Sequence, residues 1–174
     1  MDEALRVVIE MAETIGQRFR KSLEDVTAEE ASWRPLPQAN SINLILRHLC
    51  IEAQWHRAAL ERGEPMPFET TEDLRRKIDA VPLDFEQSLS AFEEAYSSFV
   101  AALRQVTLVG LQHRTEVAYQ GWPARSRPPH FLGFHQAMHV SMHLGQISTI
   151  RNLYQKTRGL PARFFPENPT FPKG

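Results

Sequence analysis

HFLGFHQAMHVSMHLGQISTIRNLYQ, residues 130–155, is the stretch from which the rest of the chain is read. The run has helical character. An α-helix advances about 100° per residue, so His139 and His143, four positions apart, stand about 40° from each other on one face. Two imidazoles stacked in that way can point at one metal ion. A third histidine, His48, sits inside another strongly helical run far away in sequence.

The same period recurs along the chain. Leu5, Val8, Ile9, Ala12, Ile15, Phe19 and Leu23 form a stripe at spacings of three and four, predicting a first helix from about Asp2 to Leu23. A second is expected from Ser41 to Arg62, with Ser41 as its cap and Gly63 and Pro65 as its stop. A third runs from Leu83 to Gln105 on Phe85, Leu89, Phe92, Tyr96, Phe99 and Leu103. The fourth runs from Pro129 to Lys156, before Gly159 and Pro161. A shorter helix over Glu72 to Ile78 is expected, capped by Thr71. The segment Thr27-Ala-Glu-Glu30 has the form of a capping box and predicts a short helical turn. No convincing strand pattern is visible. Four amphipathic helices without strands predict an all-α four-helix bundle, in which ligand and metal sites are built between facing helices.

Residues Val106 to Pro128 make the longest connection, and long connections in compact domains often cover a site. The proline-punctuated tail from Pro161 to Gly174 cannot be a helix. Its Phe164, Phe165 and Phe171 predict docking on an apolar surface.

Length and charge bound the partners. A chain of 174 residues suits a single domain, 1–174, with a core large enough to need no staples. A net charge of −1 supplies no field for nucleic acid. No run approaches a membrane span, and the acidic, amphipathic N-terminal stretch does not read as a signal peptide. The one cysteine, Cys50, excludes an internal disulfide framework and fits a reducing compartment, so a cytoplasmic protein is expected. Leftover apolar residues such as Val7, Leu44 and Leu46 suggest a homodimer.

Seven histidines compete for the role of ligand: His48, His56, His113, His130, His135, His139 and His143. Any one taken alone is more often a surface or hydrogen-bonded core residue. The pair 139/143 with His48 could define a triangular face of neutral imidazoles suited to zinc, nickel or copper, leaving positions open for water or substrate. His135 shares the spacing to His139 but lies nearer the helix start. Glu52 and His56 lie on the His48 side of the second helix. Glu52 could accept a hydrogen bond from a ligand or be a fourth ligand, although a solvated carboxylate is commoner. Cys50 lies about 200° from His48 around the helix, so it is expected to pack rather than ligate. Gln146 and Arg151 receive no role, and Gly145 is expected to permit close helix packing. The chain contains no HExxH, Walker A or GxGxxG pattern, and no paired Glu and Glu-x-x-His set for a di-iron site.

Two motifs carry a family resemblance. Leu23-Glu-Asp-Val-Thr-Ala-Glu-Glu-Ala-Ser-Trp-Arg-Pro-Leu-Pro37, followed by Asn40-Ser-Ile-Asn-Leu-Ile-Leu-Arg-His48-Leu, resembles the DinB-like family's connection into its second helix. His139-Val-Ser-Met-His143-Leu-Gly-Gln-Ile147 resembles that family's H-x-x-x-H-x-G-Q-I/L hallmark. The likeness spans nearly the whole chain. It implies an up-down-down-up bundle with a divalent metal, nickel or zinc, on His48, His139 and His143; His135 and Glu52 match nothing in the pattern. It further implies a metal-dependent thiol S-transferase or isomerase, with a low-molecular-weight thiol such as bacillithiol, mycothiol or glutathione attacking a small electrophile. A hydrolase using metal-bound water and a non-enzymatic, damage-inducible metal-binding protein are the alternatives.

Overall fold

In a computed structural model, residues 2–66, 71–80, 83–107, 109–119 and 122–161 are described. Six helices follow one another: α1 (Glu3–Lys21), α2 (Ala28–Ser32), α3 (Ile42–Arg62), α4 (Thr71–Ala80), α5 (Phe85–Arg104) and α6 (Pro129–Thr157). Strands β1 (Thr115–Tyr119) and β2 (Trp122–Arg127) lie between α5 and α6. The helix boundaries agree with the sequence reading to within two residues, and Thr71 opens α4 as its first helical residue.

Local chemistry explains where the long helices begin and end. Asp2 accepts from the Leu5 amide, Ser41 from Leu44 and Asp84 from Gln87, each satisfying an amide that has no partner in the first turn. Gly63 closes α3 in the left-handed conformation, φ 65°, which costs glycine nothing.

Cross-helix contacts give the topology. Val8 meets Gly133 and Ser22 meets Arg151, so α1 and α6 run parallel. Asn43 bonds the Leu83 carbonyl and Cys50 the Ala91 carbonyl, so α3 and α5 run parallel. Glu13 pairs with Arg104 and Arg20 with Glu93, so α1 and α5 are antiparallel. The bundle is therefore up-down-down-up, and a parallel α3–α5 pair requires the crossover that carries α4. The core between the four long helices holds Leu5, Phe19, Ile45, Leu49, Phe92, Phe99, Leu103 and Val140.

Several expectations change. The 106–128 connection contains an antiparallel hairpin, pairing Thr115 with Arg127 and Tyr119 with Trp122, where no strand was anticipated. Its buried Val117 packs with Ala59, Met66 and Leu132, and the Met66 amide donates to the Glu116 carbonyl. The hairpin thus seals the end of the bundle where α3 stops and α6 starts. Gly145 does not serve close packing: a Cβ there would meet nothing within 4 Å. The close approaches are at Gly133, where a Cβ would lie 2.5 Å from Val8, and Gly16, 2.7 Å from Tyr96. The capping box at Thr27 is half made. Thr27 accepts from the Glu30 amide, but the Glu30 carboxylate turns inward to Arg151, 2.7 Å away. Arg151, 1% exposed, also bonds Asp25 and the Ser22 carbonyl, locking α6 to the α1–α2 junction. Of the apolar residues read as left over, Leu44 and Leu46 are buried and only Val7 is exposed. The chain beyond Pro161 lies outside the described residues, and so does the expectation about Phe164, Phe165 and Phe171.

Candidate metal centre

His48 sits in the middle of α3, and α6 runs antiparallel beside it. That register brings His48 to His139, 91 residues away along the chain, and to His143 one turn beyond it. The Nε2 atoms of His48 and His139 are 3.1 Å apart, and those of His139 and His143 are 3.0 Å apart. All three ligand atoms lie within 4.8 Å of one another. Nitrogens held about 2.0–2.1 Å from a common ion, at angles of roughly 90–110°, lie about 2.8–3.4 Å from one another. The two spacings to His139 fall within that range.

Ring orientation says more than distance. The planes cross at 80° for His48 and His139, 68° for His48 and His143, and 54° for His139 and His143. His139 Nε2 faces two other ring nitrogens and can carry at most one proton, so it cannot satisfy both by hydrogen bonding. Three ring nitrogens gathered in this way could hold one cation. His143 Nδ1 donates to Gln146 Oε1 at 2.8 Å, which fixes its tautomer and leaves Nε2 as an electron-pair donor. His139 Nδ1 is buried and has no hydrogen-bond partner among the described residues.

Burial keeps these rings neutral. It pushes His48 down to about 4, with help from His143. It pushes His139 down to about 2, with His143, His48, His135 and His56 adding repulsion. His143 is lowered by burial, with the Gln146 bond opposing. Neutral imidazole is the metal-binding form.

A second histidine pair lies beneath the triad. His56, fully buried, donates from Nδ1 to the Glu52 carbonyl at 2.7 Å, and its Nε2 is 3.1 Å from His135 Nδ1. Here the planes are only 15° apart. Near-coplanar rings point an N–H along the facing lone pair, so this pair shares a proton instead of converging on an ion. Burial lowers His56 to about 3, the Glu52 carbonyl bond opposing and His135 adding repulsion; burial also lowers His135.

The structure therefore brings together His48, His139 and His143 and leaves the other candidates outside that cluster. His135 turns to His56. The Glu52 carboxylate approaches His56 Nδ1 at 3.9 Å. Cys50 Sγ lies 3.4 Å from the Ala91 carbonyl on α5, with its thiol pushed up by burial and then by Glu94. Gln146 orients a triad ring, and Arg151 serves the buried ion pair. Sequence reasoning missed the roles of Gln146 and His56. The only advance signal was spacing: Gln146 three residues after His143, and His56 two turns after His48.

The model of the DinB superfamily matches residues 11–147. The chain belongs to the DinB superfamily. Solved structures with the same fold include a mycothiol-dependent maleylpyruvate isomerase, at TM-score 0.68 and 16% identity over 84% of this chain. This DinB chain spans 63% of that isomerase's length. YfiT from Bacillus subtilis, described as "a probable metal-dependent hydrolase with an unusual four-helix bundle topology", matches at TM-score 0.66 and 14% identity, covering 92% of this chain and 91% of YfiT. A conserved protein from Enterococcus faecalis matches at 0.63 and 17%, covering 88% of this chain and 98% of the other. No curated protein matches the sequence. At these identities the likeness shows the fold. Among the described residues of this DinB protein, no helix is long and apolar enough to cross a membrane.

Proposed function

We propose that this DinB protein is a metal-dependent enzyme in which His48, His139 and His143 hold a divalent cation, nickel or zinc, and a low-molecular-weight thiol is directed at a small electrophile. The observation that carries the reading is the gathering of three tilted, neutral imidazoles whose ring nitrogens lie within 4.8 Å of one another. Three protein ligands leave coordination positions for a substrate atom. Such an ion, when bound, stabilises the thiolate form of a thiol, which is the nucleophile. The chain's own groups do the rest. Burial holds the rings unprotonated, and the Gln146 bond sets the tautomer of His143. The thiol assignment is supported by the mycothiol-dependent isomerase of similar fold.

The test is thiol transfer to chlorinated and epoxide acceptors by the zinc- or nickel-loaded protein, with bacillithiol, mycothiol and glutathione supplied separately. Thiol-dependent consumption of acceptor, abolished by chelation and by His139→Ala, is expected. Loss of no acceptor under any combination overturns the reading. A second reading is a hydrolase in which the same ion lowers the pKa of water. It is favoured by the likeness to YfiT along 91% of that protein's length. Hydrolysis without added thiol would select it.

A further inference from the structure

No Asp, Glu, Lys or Arg occurs between Arg127 and Arg151, a stretch that includes most of α6. A helix with one face on a core normally turns charged residues outward on the other. The other long helices do so, with Arg6 and Glu10 on α1, Arg57 and Glu61 on α3, and Glu86 and Arg104 on α5. On α6 the outward face is apolar instead. Phe134, Met138 and Met142, at steps of four, are 46%, 42% and 60% exposed, and Leu153 is 41% exposed. Ser141, Gly145 and Thr149 are exposed as well. These residues form two parallel rows at four-residue spacing, Phe134–Met138–Met142 and Ser141–Gly145–Thr149–Leu153, with a groove between them. Val7 is exposed on α1 at the level of the first row, next to the Val8 that meets Gly133. His139 and His143 turn to His48 on α3 and belong to neither row.

We propose that this face of α6 is a dimer interface, and that its occupant is the same face of a second copy, packed about a two-fold axis. Charge favours that occupant. A two-fold sets a face against its own copy, where like charges repel, and a face without charge meets itself at no such cost. An anionic membrane surface is met by Lys and Arg flanking the apolar face, and this stretch has none. Shape favours it too. Rows at four-residue spacing are the relief into which a second helix packs ridge into groove. The tail beyond Pro161, punctuated by Pro166, Pro169 and Pro172, cannot supply a helix. Area is sufficient. The two rows and Val7 expose on the order of 600 Å², the lower end of what a specific interface takes from each partner, about 600–1,000 Å². Homodimer interfaces are also the more apolar class. The proposal stands apart from the thiol reading, since it needs neither ion nor substrate.

Sedimentation equilibrium of the full chain tests it. The wild type is expected at twice the 20.0 kDa chain mass at micromolar concentration. Met138→Glu and Thr149→Arg each set a charge against its own copy, and each should raise the dimer dissociation constant at least a hundredfold. Thr149 is already polar and exposed, so its replacement tests the face even where circular dichroism shows that Met138→Glu has failed to fold. Val109→Glu changes an exposed apolar residue away from α6 and should leave the dimer intact. A monomeric wild type overturns the proposal, whether the face is then bare or covered by the chain's own tail. A dimer that Thr149→Arg and a folded Met138→Glu both leave intact overturns it, because another surface then holds the copies together. Dissociation by Val109→Glu as complete as by the α6 variants overturns it as well.

Discussion

At the scale of single residues, two ring-nitrogen contacts of the same length mean two different things. Nε2 to Nε2 at 3.1 Å between His48 and His139, and Nε2 to Nδ1 at 3.1 Å between His56 and His135, differ in ring tilt, 80° against 15°. Tilted rings aim lone pairs at a third point, whereas coplanar rings aim a proton at a lone pair. His48→Ala, His139→Ala and His143→Ala should each weaken zinc and nickel binding by at least tenfold in calorimetric titration, while His113→Ala should not. Equal affinities throughout would mean that the ligand set is wrong. Acid should unfold the metal-free protein for a related reason. His56 has a folded-state pKa of about 3, below its unfolded value. The unfolded chain therefore binds the proton more readily, and stability present above pH 6.5 is lost as pH falls. By pH 5 this one residue accounts for about 2 kcal/mol, on the order of 1.4 kcal/mol per pH unit. Thermal melts in chelator should show the midpoint falling between pH 6.5 and 4, with His56→Phe flattening that slope.

Among the elements, α6 carries both the site and its tightest packing. Gly133→Ala places a methyl 2.5 Å from Val8 and should destabilise by about 1–3 kcal/mol through the shift it forces between α1 and α6. Gly145→Ala meets open space inside a helix and should stabilise by about 0.5–1 kcal/mol. Urea denaturation of the two variants checks the contrast in sign. The glycines illustrate what sequence can and cannot show. Four long helices were legible because apolar residues at spacings of three and four record which face is buried. The pair His139 and His143 was legible because one helix fixes their spacing. The hairpin was not. Trp122-Pro-Ala-Arg-Ser-Arg127 shows no apolar alternation and carries a proline, and the pairing of the two strands is supported by Met66, Ala59 and Leu132, which come from elsewhere in the chain. The His56–His135 bond was illegible for a similar reason, since it depends on how α3 and α6 slide past each other.

For the whole molecule, an ion held by His48, His139 and His143 would cross-link two antiparallel rods. An ion that binds only the folded state stabilises it by mass action, about 2.7 kcal/mol at a free concentration about a hundred times Kd. In a chain of this size that raises Tm by about 5–10 °C. Calorimetric melts with zinc, with nickel and after chelation should show the rise and its reversal. At the opposite end, Arg151 and Glu30 form an ion pair almost without exposure, at 1% and 2%. Arg151→Met leaves Glu30 buried without its counter-charge and should cost about 3–5 kcal/mol, while the double replacement of Arg151 and Glu30 by apolar residues should recover most of it.

The 91-residue separation between His48 and His139 has a consequence for biosynthesis. While the ribosome is still extending the chain, the emerging first three rods carry only His48 of the three clustered rings. An ion held by all three rings would have to wait for the last rod to emerge and dock against the second.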